Sequence, residues 1–165
     1  MNQAEYRQLV EEYGGGFHAL EAAVGEVPTE AWDFHPSTGE WNVKELLFHM
    51  ADSETVGVTR LYMIVAQPGS TLMSYDDAAW GRALSYAGRN VDDALKLFRL
   101  LRQSTHALLR SLPELAFNHS VIHPDNVYPE YGEAYNVEKW LRIYTRHVRD
   151  HITQLQSIHQ TWKGH

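Results

Sequence analysis

Residues 137–162 read VEKWLRIYTRHVRDHITQLQSIHQTW and carry the clearest periodicity in the chain. Apolar and aromatic residues recur at intervals of three and four, as they do on one face of an α-helix. The members of this stripe are Val137, Trp140, Leu141, Tyr144, His147, Val148, His151, Leu155, Ile158 and Trp162. The two histidines are spaced i and i+4, which places both imidazoles on one side of the helix, one turn apart. The segment therefore predicts a long helix that begins after Asn136 and has two histidines in its inner face.

Three segments upstream show the same helical periodicity. We expect helices over residues 3–25, 42–66 and 91–112. At the start of the second segment, Asn42 is followed three residues later by Glu45, which is the sequence pattern of a capping box. The chain thus carries four predicted helices of substantial length.

A run of three glycines, Gly14 to Gly16, interrupts the first of these segments. Each glycine costs a helix about 1 kcal/mol relative to alanine. The run therefore predicts either a kink or break, or a close backbone approach by a neighbouring helix.

Four helices with apolar stripes predict a four-helix bundle, because each stripe must be buried against another helix. No segment shows convincing strand alternation, so we assign the chain to the all-α class, as a single domain of residues 1–165. The connections at residues 26–41, 68–90 and 113–135 are longer than a minimal bundle needs. Long loops on a rigid scaffold often carry function, and these loops are rich in aromatic residues.

The composition argues against several classes of function. A net charge of −7 argues against binding to nucleic acid, which would need a basic patch. The chain has no cysteine and therefore no disulfide, thiolate ligand or cysteine nucleophile. No apolar run approaches the ~18 residues of a membrane span, and the N-terminus lacks the apolar core of a signal peptide. We expect a cytoplasmic protein that binds neither nucleic acid nor a membrane.

His49 lies in the second predicted helix, where it can meet the pair formed by His147 and His151. A buried histidine must be hydrogen-bonded or ligated, because burying an unsatisfied polar group is costly. Three neutral imidazoles can bind one divalent metal ion and leave a coordination position open, as in catalytic sites. The spacing leaves a second interpretation open, in which these are core histidines hydrogen-bonded to tyrosines such as Tyr144 or Tyr62.

Longer motifs surround the three histidines. Residues 27–54 contain a proline-glycine turn, a tryptophan, a polar cap and a histidine followed by two acidic residues. Residues 123–159 contain His-Pro, a glycine, H-x-x-x-H and a glutamine, and residues 75–80 read YDDAAW. In this order, and over nearly the whole chain, the motifs resemble those of the DinB/YfiT-like family, whose four-helix bundles include metal-dependent enzymes.

The resemblance implies that His49, His147 and His151 bind one divalent metal ion, with nickel or zinc ahead of iron or manganese. It further implies an enzyme acting on a small molecule, either an S-transferase that uses a low-molecular-weight thiol such as bacillithiol or a hydrolase. We place thiol transfer first. The resemblance also implies a homodimer. The rival hypothesis is a non-catalytic metal-binding helical bundle.

A hydrolase would need a general base near the metal, and the acidic candidates on the second helix are Asp52 and Glu54. On a helical projection, Asp52 lies about 60 degrees from His49, close enough to contact a ligand from behind. Asp76 and Asp150 are further acids near the motifs. Charged residues are mostly exposed, so we expect a solvated or capping role for each acid before a catalytic one.

Three loop residues are candidate contacts to the substrate. His123 lies in a loop that can fold over the mouth of the bundle, and Tyr75 and Trp80 begin and end the YDDAAW motif. Aromatic loop residues can form an apolar wall for a small molecule.

Overall fold

The computed structural model describes residues 2–125 and 127–164, and α-helices dominate them. The helices are α1 (Gln3–Gly25), α2 (Val43–Ala66), α3 (Asp77–Ala83), α4 (Val91–Ser111) and α5 (Val137–Lys163). The four long helices confirm the predicted all-α bundle, and their ends agree with the predicted ends to within one residue. None of the described helices is both long and apolar enough to cross a lipid bilayer.

The connections hold more regular structure than the sequence predicts. Two short strands, β1 (Ser120–Val121) and β2 (Tyr135–Asn136), pair in antiparallel fashion within an otherwise all-α fold. Strands of two residues are too short to show alternation in a sequence. Single turns of 3-10 helix lie at Thr29–Ala31, Tyr86–Gly88, Glu114–Asn118 and Pro129–Tyr131.

An asparagine precedes each long helix, and its side chain accepts a hydrogen bond from the backbone of the first turn. These asparagines are Asn2, Asn42, Asn90 and Asn136. At α2 the predicted capping box is confirmed, because Asn42 Oδ1 accepts from Glu45 N at 2.9 Å and Glu45 Oε2 accepts from Asn42 N at 3.0 Å. Such caps contribute about 1 kcal/mol each and define where the helices begin.

A buried arginine joins all four long helices. Arg102 of α4 donates from Nε to Glu54 Oε2 of α2 at 3.1 Å, and both side chains are 1% exposed. Its Nη1 donates to the backbone oxygen of Tyr13 in α1 at 2.8 Å. Its Nη2 donates to the backbone oxygen of Tyr144 in α5 at 2.7 Å. The hydroxyl of Tyr13 donates to the second oxygen of Glu54, which completes a buried polar layer.

The apolar core divides into two clusters along the bundle, on either side of this polar layer. The first cluster includes Phe17, Leu20, Leu46, Met50, Phe98, Val148 and Leu155. The second cluster includes Val10, Leu61, Ile64, Leu109, Val137, Trp140 and Leu141. Both halves of every long helix are therefore packed, and the polar layer lies between them.

The three glycines do not break α1, which is continuous from Gln3 to Gly25. A Cβ atom at Gly16 would lie 2.4 Å from Arg102 Nη1, and one at Gly14 would lie 2.7 Å from the ring of His106. The space beside Gly15 is open. Two of the three glycines therefore make room for side chains of α4, rather than for the close backbone approach that was expected.

The two adjacent glycines should respond to alanine in opposite directions. Gly15→Ala should raise the free energy of unfolding by up to about 1 kcal/mol, because alanine favours the helix and meets no neighbour. Gly16→Ala should lower it by about 1–3 kcal/mol, because the new methyl group would clash with the Arg102 guanidinium and disturb its hydrogen bonds to the other helices. Urea unfolding followed by circular dichroism measures both, and equal effects would contradict the packing role of Gly16.

Candidate metal centre

The structure brings together His49 of α2 and the two histidines of α5. His49 Nε2 lies 3.1 Å from His147 Nε2, and His151 Nε2 lies 3.0 Å from that same atom. One ring nitrogen from each histidine lies within 4.8 Å of the other two. Two zinc–nitrogen bonds of about 2.0 Å at a tetrahedral angle would separate their nitrogens by about 3.3 Å. The three side chains therefore fit the ligand set of a single metal ion.

The contacts do not support the interpretation that tyrosines satisfy these histidines. Tyr62 is 50% exposed on the surface. The ring of Tyr144 stacks on Trp140, and its centroid lies 6.3 Å from that of His147. Among the described residues, the hydrogen-bond contacts of the three histidine rings are with one another and with a glutamine of α5.

Gly57 sets the spacing of α2 and α5 beside the cluster. A Cβ atom at this position would lie 2.4 Å from the ring of Tyr144. The backbone oxygen of Gly57 accepts a hydrogen bond from Trp140 Nε1 at 2.7 Å. Both aromatic residues precede His147 by two turns or less. The close approach at Gly57 therefore holds the α5 histidines opposite His49.

Gln154 orients one of the α5 histidines. Its Oε1 lies 2.9 Å from His151 Nδ1. An amide oxygen only accepts hydrogen bonds, so Nδ1 carries the proton and donates it. The lone pair of His151 is consequently on Nε2, the atom that faces the cluster, and this is the tautomer that a metal ion requires. Trp41 covers His49 on the outside, with ring centroids 4.5 Å apart.

Burial keeps the three imidazoles neutral. His49 is 3% exposed, and burial together with the neighbouring His151 lowers the pKa of His49 to about 3. Burial, reinforced by His151 and His49, holds the pKa of His147 well below its usual range. Burial also lowers the pKa of His151, although Gln154 opposes this shift. Neutral imidazole is the form that binds metal ions, so protons compete weakly for the site near neutral pH.

A cavity of about 230 Å³ opens beside the cluster, and both His49 and His147 line it. Two of the three predicted substrate contacts, Tyr75 and His123, line it as well. Trp80 is not among the described lining residues and instead packs on Tyr75, with ring centroids 4.8 Å apart. A coordination position left open by the histidines can therefore face a space large enough for a small molecule.

The two acids of α2 serve other contacts. Asp52 accepts from Arg89 Nη1 at 2.7 Å and Nη2 at 2.9 Å, and from the hydroxyl of Tyr86 at 3.0 Å. Glu54 belongs to the ion pair with Arg102. Both are buried, so the expectation of a solvated or capping role was wrong for them. The residues described as lining the cavity include neither, so a catalytic role for them stays a prediction that these contacts do not favour.

The other two acids behave as expected. Asp76 caps α3, where its Oδ1 accepts from Ala79 N at 2.8 Å. Asp150 is exposed and pairs with Arg146 at 3.2 Å.

The polar residues of the cavity that the sequence analysis did not assign to a site include Arg60, Asp77 and Tyr135. Arg60 lies three turns after His49 on the same face of α2, so the helical periodicity could have identified it. Asp77 follows Asp76 in the YDDAAW motif, and the sequence does not distinguish the two acids. The structure does, because Asp76 caps α3 and Asp77 lines the cavity. Tyr135 is one of the aromatic residues of the long loops, but the sequence did not place it in the cavity, because its position depends on the pairing of β1 with β2.

Comparison with known families gives a match over most of the chain. The family model DinB_2, described as the DinB superfamily, matches residues 15–155. A protein of Bacillus licheniformis is 27% identical over 140 residues, which are 85% of this chain and 77% of that protein. YfiT of Bacillus subtilis is 25% identical over 139 residues, which are 84% of this chain and 75% of that protein. Both relatives are named "putative metal-dependent hydrolase".

Solved structures share the fold. One is described as YfiT from Bacillus subtilis, a probable metal-dependent hydrolase with an unusual four-helix bundle topology. It superposes with a TM-score of 0.86 at 21% identity, over 99% of this chain and 90% of that chain. A mycothiol-dependent maleylpyruvate isomerase superposes with a TM-score of 0.70 at 16% identity, over 91% of this chain and 60% of that chain.

The stability of the metal-free protein should fall as the pH drops below about 6.5, the usual pKa of histidine. Unfolded His49 takes up a proton in this range while folded His49 keeps a pKa of about 3, so the unfolded state binds more protons. This loss amounts to about 1.4 kcal/mol per pH unit for that residue. Urea unfolding of chelator-treated protein between about pH 6.5 and pH 4 measures the slope.

His49→Gln should reduce the dependence of the unfolding free energy on pH by about 1.4 kcal/mol per pH unit. His18→Gln is the matched control, because the side chain of His18 is 72% exposed. Identical slopes in the wild type and in His49→Gln would show that His49 is not held neutral by burial.

Gln154→Ala should weaken metal affinity about 10–100-fold, because His151 would lose the acceptor that fixes its tautomer. Gln156→Ala, two residues further along α5 at an exposed position, should leave the affinity unchanged. Competition against a metal-binding dye gives both affinities. An unchanged affinity in Gln154→Ala would contradict the orienting role.

Proposed function

The chain belongs to the DinB superfamily, and we propose that it is a metal-dependent enzyme that acts on a small molecule in the cavity beside its three histidines. One observation carries this proposal: three neutral imidazoles converge through their Nε2 atoms at the edge of a cavity. Structural metal sites are usually closed by four protein ligands, whereas three protein ligands are typical of catalytic sites.

The donor set suits a nitrogen-preferring ion. Imidazole ligands favour zinc, nickel, copper and iron over magnesium or calcium, which prefer oxygen ligands. We propose nickel or zinc for this site, with His49, His147 and His151 as the ligands. When bound, such an ion supplies Lewis-acid activation of a water molecule or of a substrate group.

We propose that two residues of the cavity assist the reaction. Asp77 lines the cavity and is the carboxylate that we propose as general base. Its Oδ1 accepts from the backbone nitrogen of Ala78 at 2.7 Å, which leaves Oδ2 available to accept a proton. Burial raises the pKa of Tyr75, so its hydroxyl stays protonated and can donate a hydrogen bond to a substrate oxygen.

Hydrolysis and thiol transfer differ in the nucleophile. Hydrolysis needs only water and a base, and the names of the two Bacillus relatives support this class. Transfer would need a low-molecular-weight thiol as cosubstrate, because the chain has no cysteine of its own. The position of Asp77 leads us to place hydrolysis first. The cytoplasmic location and the homodimer stay predictions.

Wild-type protein should contain close to one divalent ion per chain, and His151→Ala should contain almost none while keeping its helical circular dichroism, because packing stabilises the bundle. His18→Ala, at an exposed histidine, should keep the ion. Elemental analysis of untagged protein gives the stoichiometry. Full occupancy in His151→Ala would contradict the proposed ligand set.

Metal-loaded protein should then convert ester or amide substrates, and His151→Ala should not. Assays with and without an added thiol separate the two reaction classes: product in water alone indicates hydrolysis, and product that requires the thiol indicates transfer. Metal binding without turnover in either assay would favour the non-catalytic bundle.

A further inference from the structure

Three buried polar atoms of the cavity have no hydrogen-bond partner among the described residues. They are Arg60 Nε, His123 Nε2 and the hydroxyl oxygen of Tyr135. All three side chains line the cavity that the histidine cluster borders. Buried polar groups in folded proteins are nearly always satisfied, so three unsatisfied atoms around one space indicate a ligand that completes them.

All three atoms can donate a hydrogen bond. The backbone nitrogen of Asp125 donates to His123 Nδ1 at 3.2 Å, so in the neutral ring the proton lies on Nε2. Burial, assisted by Arg60, lowers the pKa of His123 and keeps the ring neutral. Burial raises the pKa of Tyr135 to about 12, so its hydroxyl keeps its proton. The arginine Nε–H is always a donor.

Arg60 adds a positive charge to these donors. Its Nη2 donates to the backbone oxygen of Met73 at 3.1 Å, and its guanidinium lies 5.7 Å from the centroid of the Tyr75 ring. These contacts hold the guanidinium in place without neutralising it. None of the carboxylates in the described part of the chain forms an ion pair with it. Arg60 is therefore a cation without an ion-pair partner among the described residues, and two neutral donors accompany it.

The charge around these donors favours a monoanion. Asp77 and Asp125 also line the cavity, and Asp125 accepts a hydrogen bond from the hydroxyl of Ser74. These two carboxylates repel a dianionic phosphate about twice as strongly as a monoanionic carboxylate, and the single charge of a carboxylate is the one that one guanidinium matches. Four tyrosine rings contribute to the apolar part of the wall together with Val127 and Ile143: Tyr75, Tyr128, Tyr135 and Tyr144.

The position of Arg60 determines how such a ligand would be oriented in the cavity. Arg60 lies about 16 Å beyond His49 along the axis of α2, on the same face of the helix. Helical side chains lean toward the N-terminus of their helix, which here is the side of His49. A carboxylate bound by Arg60 would therefore leave the rest of its molecule extending toward His49 and His147, which line the same cavity.

We propose that Arg60, His123 and Tyr135 form a carboxylate-binding subsite, and that the substrate of this protein is a small organic acid held by its carboxylate away from the histidines. The inference rests on the proposed function in one respect, namely that the substrate reacts at the histidine cluster. The binding of the carboxylate itself requires no metal ion and no turnover.

Binding to chelator-treated protein tests the subsite, because a bound metal ion would itself attract carboxylates. Phenylacetate and propionate are the probes, and phenylacetamide is the neutral match of the first. Phenylacetate should bind at least about tenfold more tightly than phenylacetamide, since charge-assisted hydrogen bonds form with the acid alone. Isothermal titration calorimetry measures the affinities.

Two variants locate the binding. Arg60→Met should weaken phenylacetate binding about tenfold or more, whereas Arg82→Met, at an exposed arginine of α3, should leave it unchanged. Tyr135→Phe should weaken binding several-fold without lowering the melting temperature, because it removes a hydroxyl that has no hydrogen-bond partner among the described residues. Tyr135→Phe also keeps the test valid if Arg60→Met fails to fold.

Equal affinity for the acid and the amide would overturn the subsite, as would unchanged binding in Tyr135→Phe together with Arg60→Met. Tighter binding of inorganic phosphate than of either carboxylate would overturn the assignment of the ligand class. His151→Ala, the variant that should lose the metal ion, should still bind phenylacetate. Failure of the subsite and failure of the metal site are therefore separate results.

Discussion

The buried guanidinium of Arg102 connects all four long helices of the bundle. A buried positive charge is stable only when a counter-ion and acceptors surround it, and here α1, α2 and α5 each supply one. Burial raises the pKa of Glu54, while Arg102 and Tyr13 act in the opposite direction. The carboxylate and the guanidinium therefore stabilise each other's charge. Sliding any of the three helices by one turn would leave a charge or a donor unpaired in the core. The polar layer thereby fixes the helix register, which apolar packing alone specifies less strictly.

The geometry of the histidine cluster depends on this layer. Tyr144, whose backbone oxygen accepts from Arg102, lies less than one turn before His147. Glu54 lies about one and a half turns after His49 on α2. The two helices that carry the histidines are therefore tied to the same arginine close to the point where the imidazoles meet. Helices that could shift would not hold three ring nitrogens within 4.8 Å of one another, as they are here.

The features that the sequence predicts are those that a single helix determines. Periodicity, the asparagine caps and the i, i+4 spacing of His147 and His151 are local, and they identified the bundle and the histidines that meet in it. The roles of the acids could not be predicted in the same way, because burial of a charge depends on a partner from another helix. Asp52 pairs with an arginine 37 residues away and Glu54 with one 48 residues away, and no spacing rule relates them. The same limit applies to Tyr135, which enters the cavity through a strand pair of two residues.

The two groups of polar atoms in the cavity are chemically opposite. The ring nitrogens of the histidine cluster can turn lone pairs toward a cation, whereas Arg60, His123 and Tyr135 direct N–H and O–H groups toward an anion. Burial of either group costs desolvation free energy, which a bound cation or anion would offset. A molecule with an anionic group at one end and a metal-binding or electrophilic group at the other would satisfy both groups in a single orientation. Such a cavity would select its substrate by the distance between two functional groups, and the length of α2 between His49 and Arg60 sets that distance.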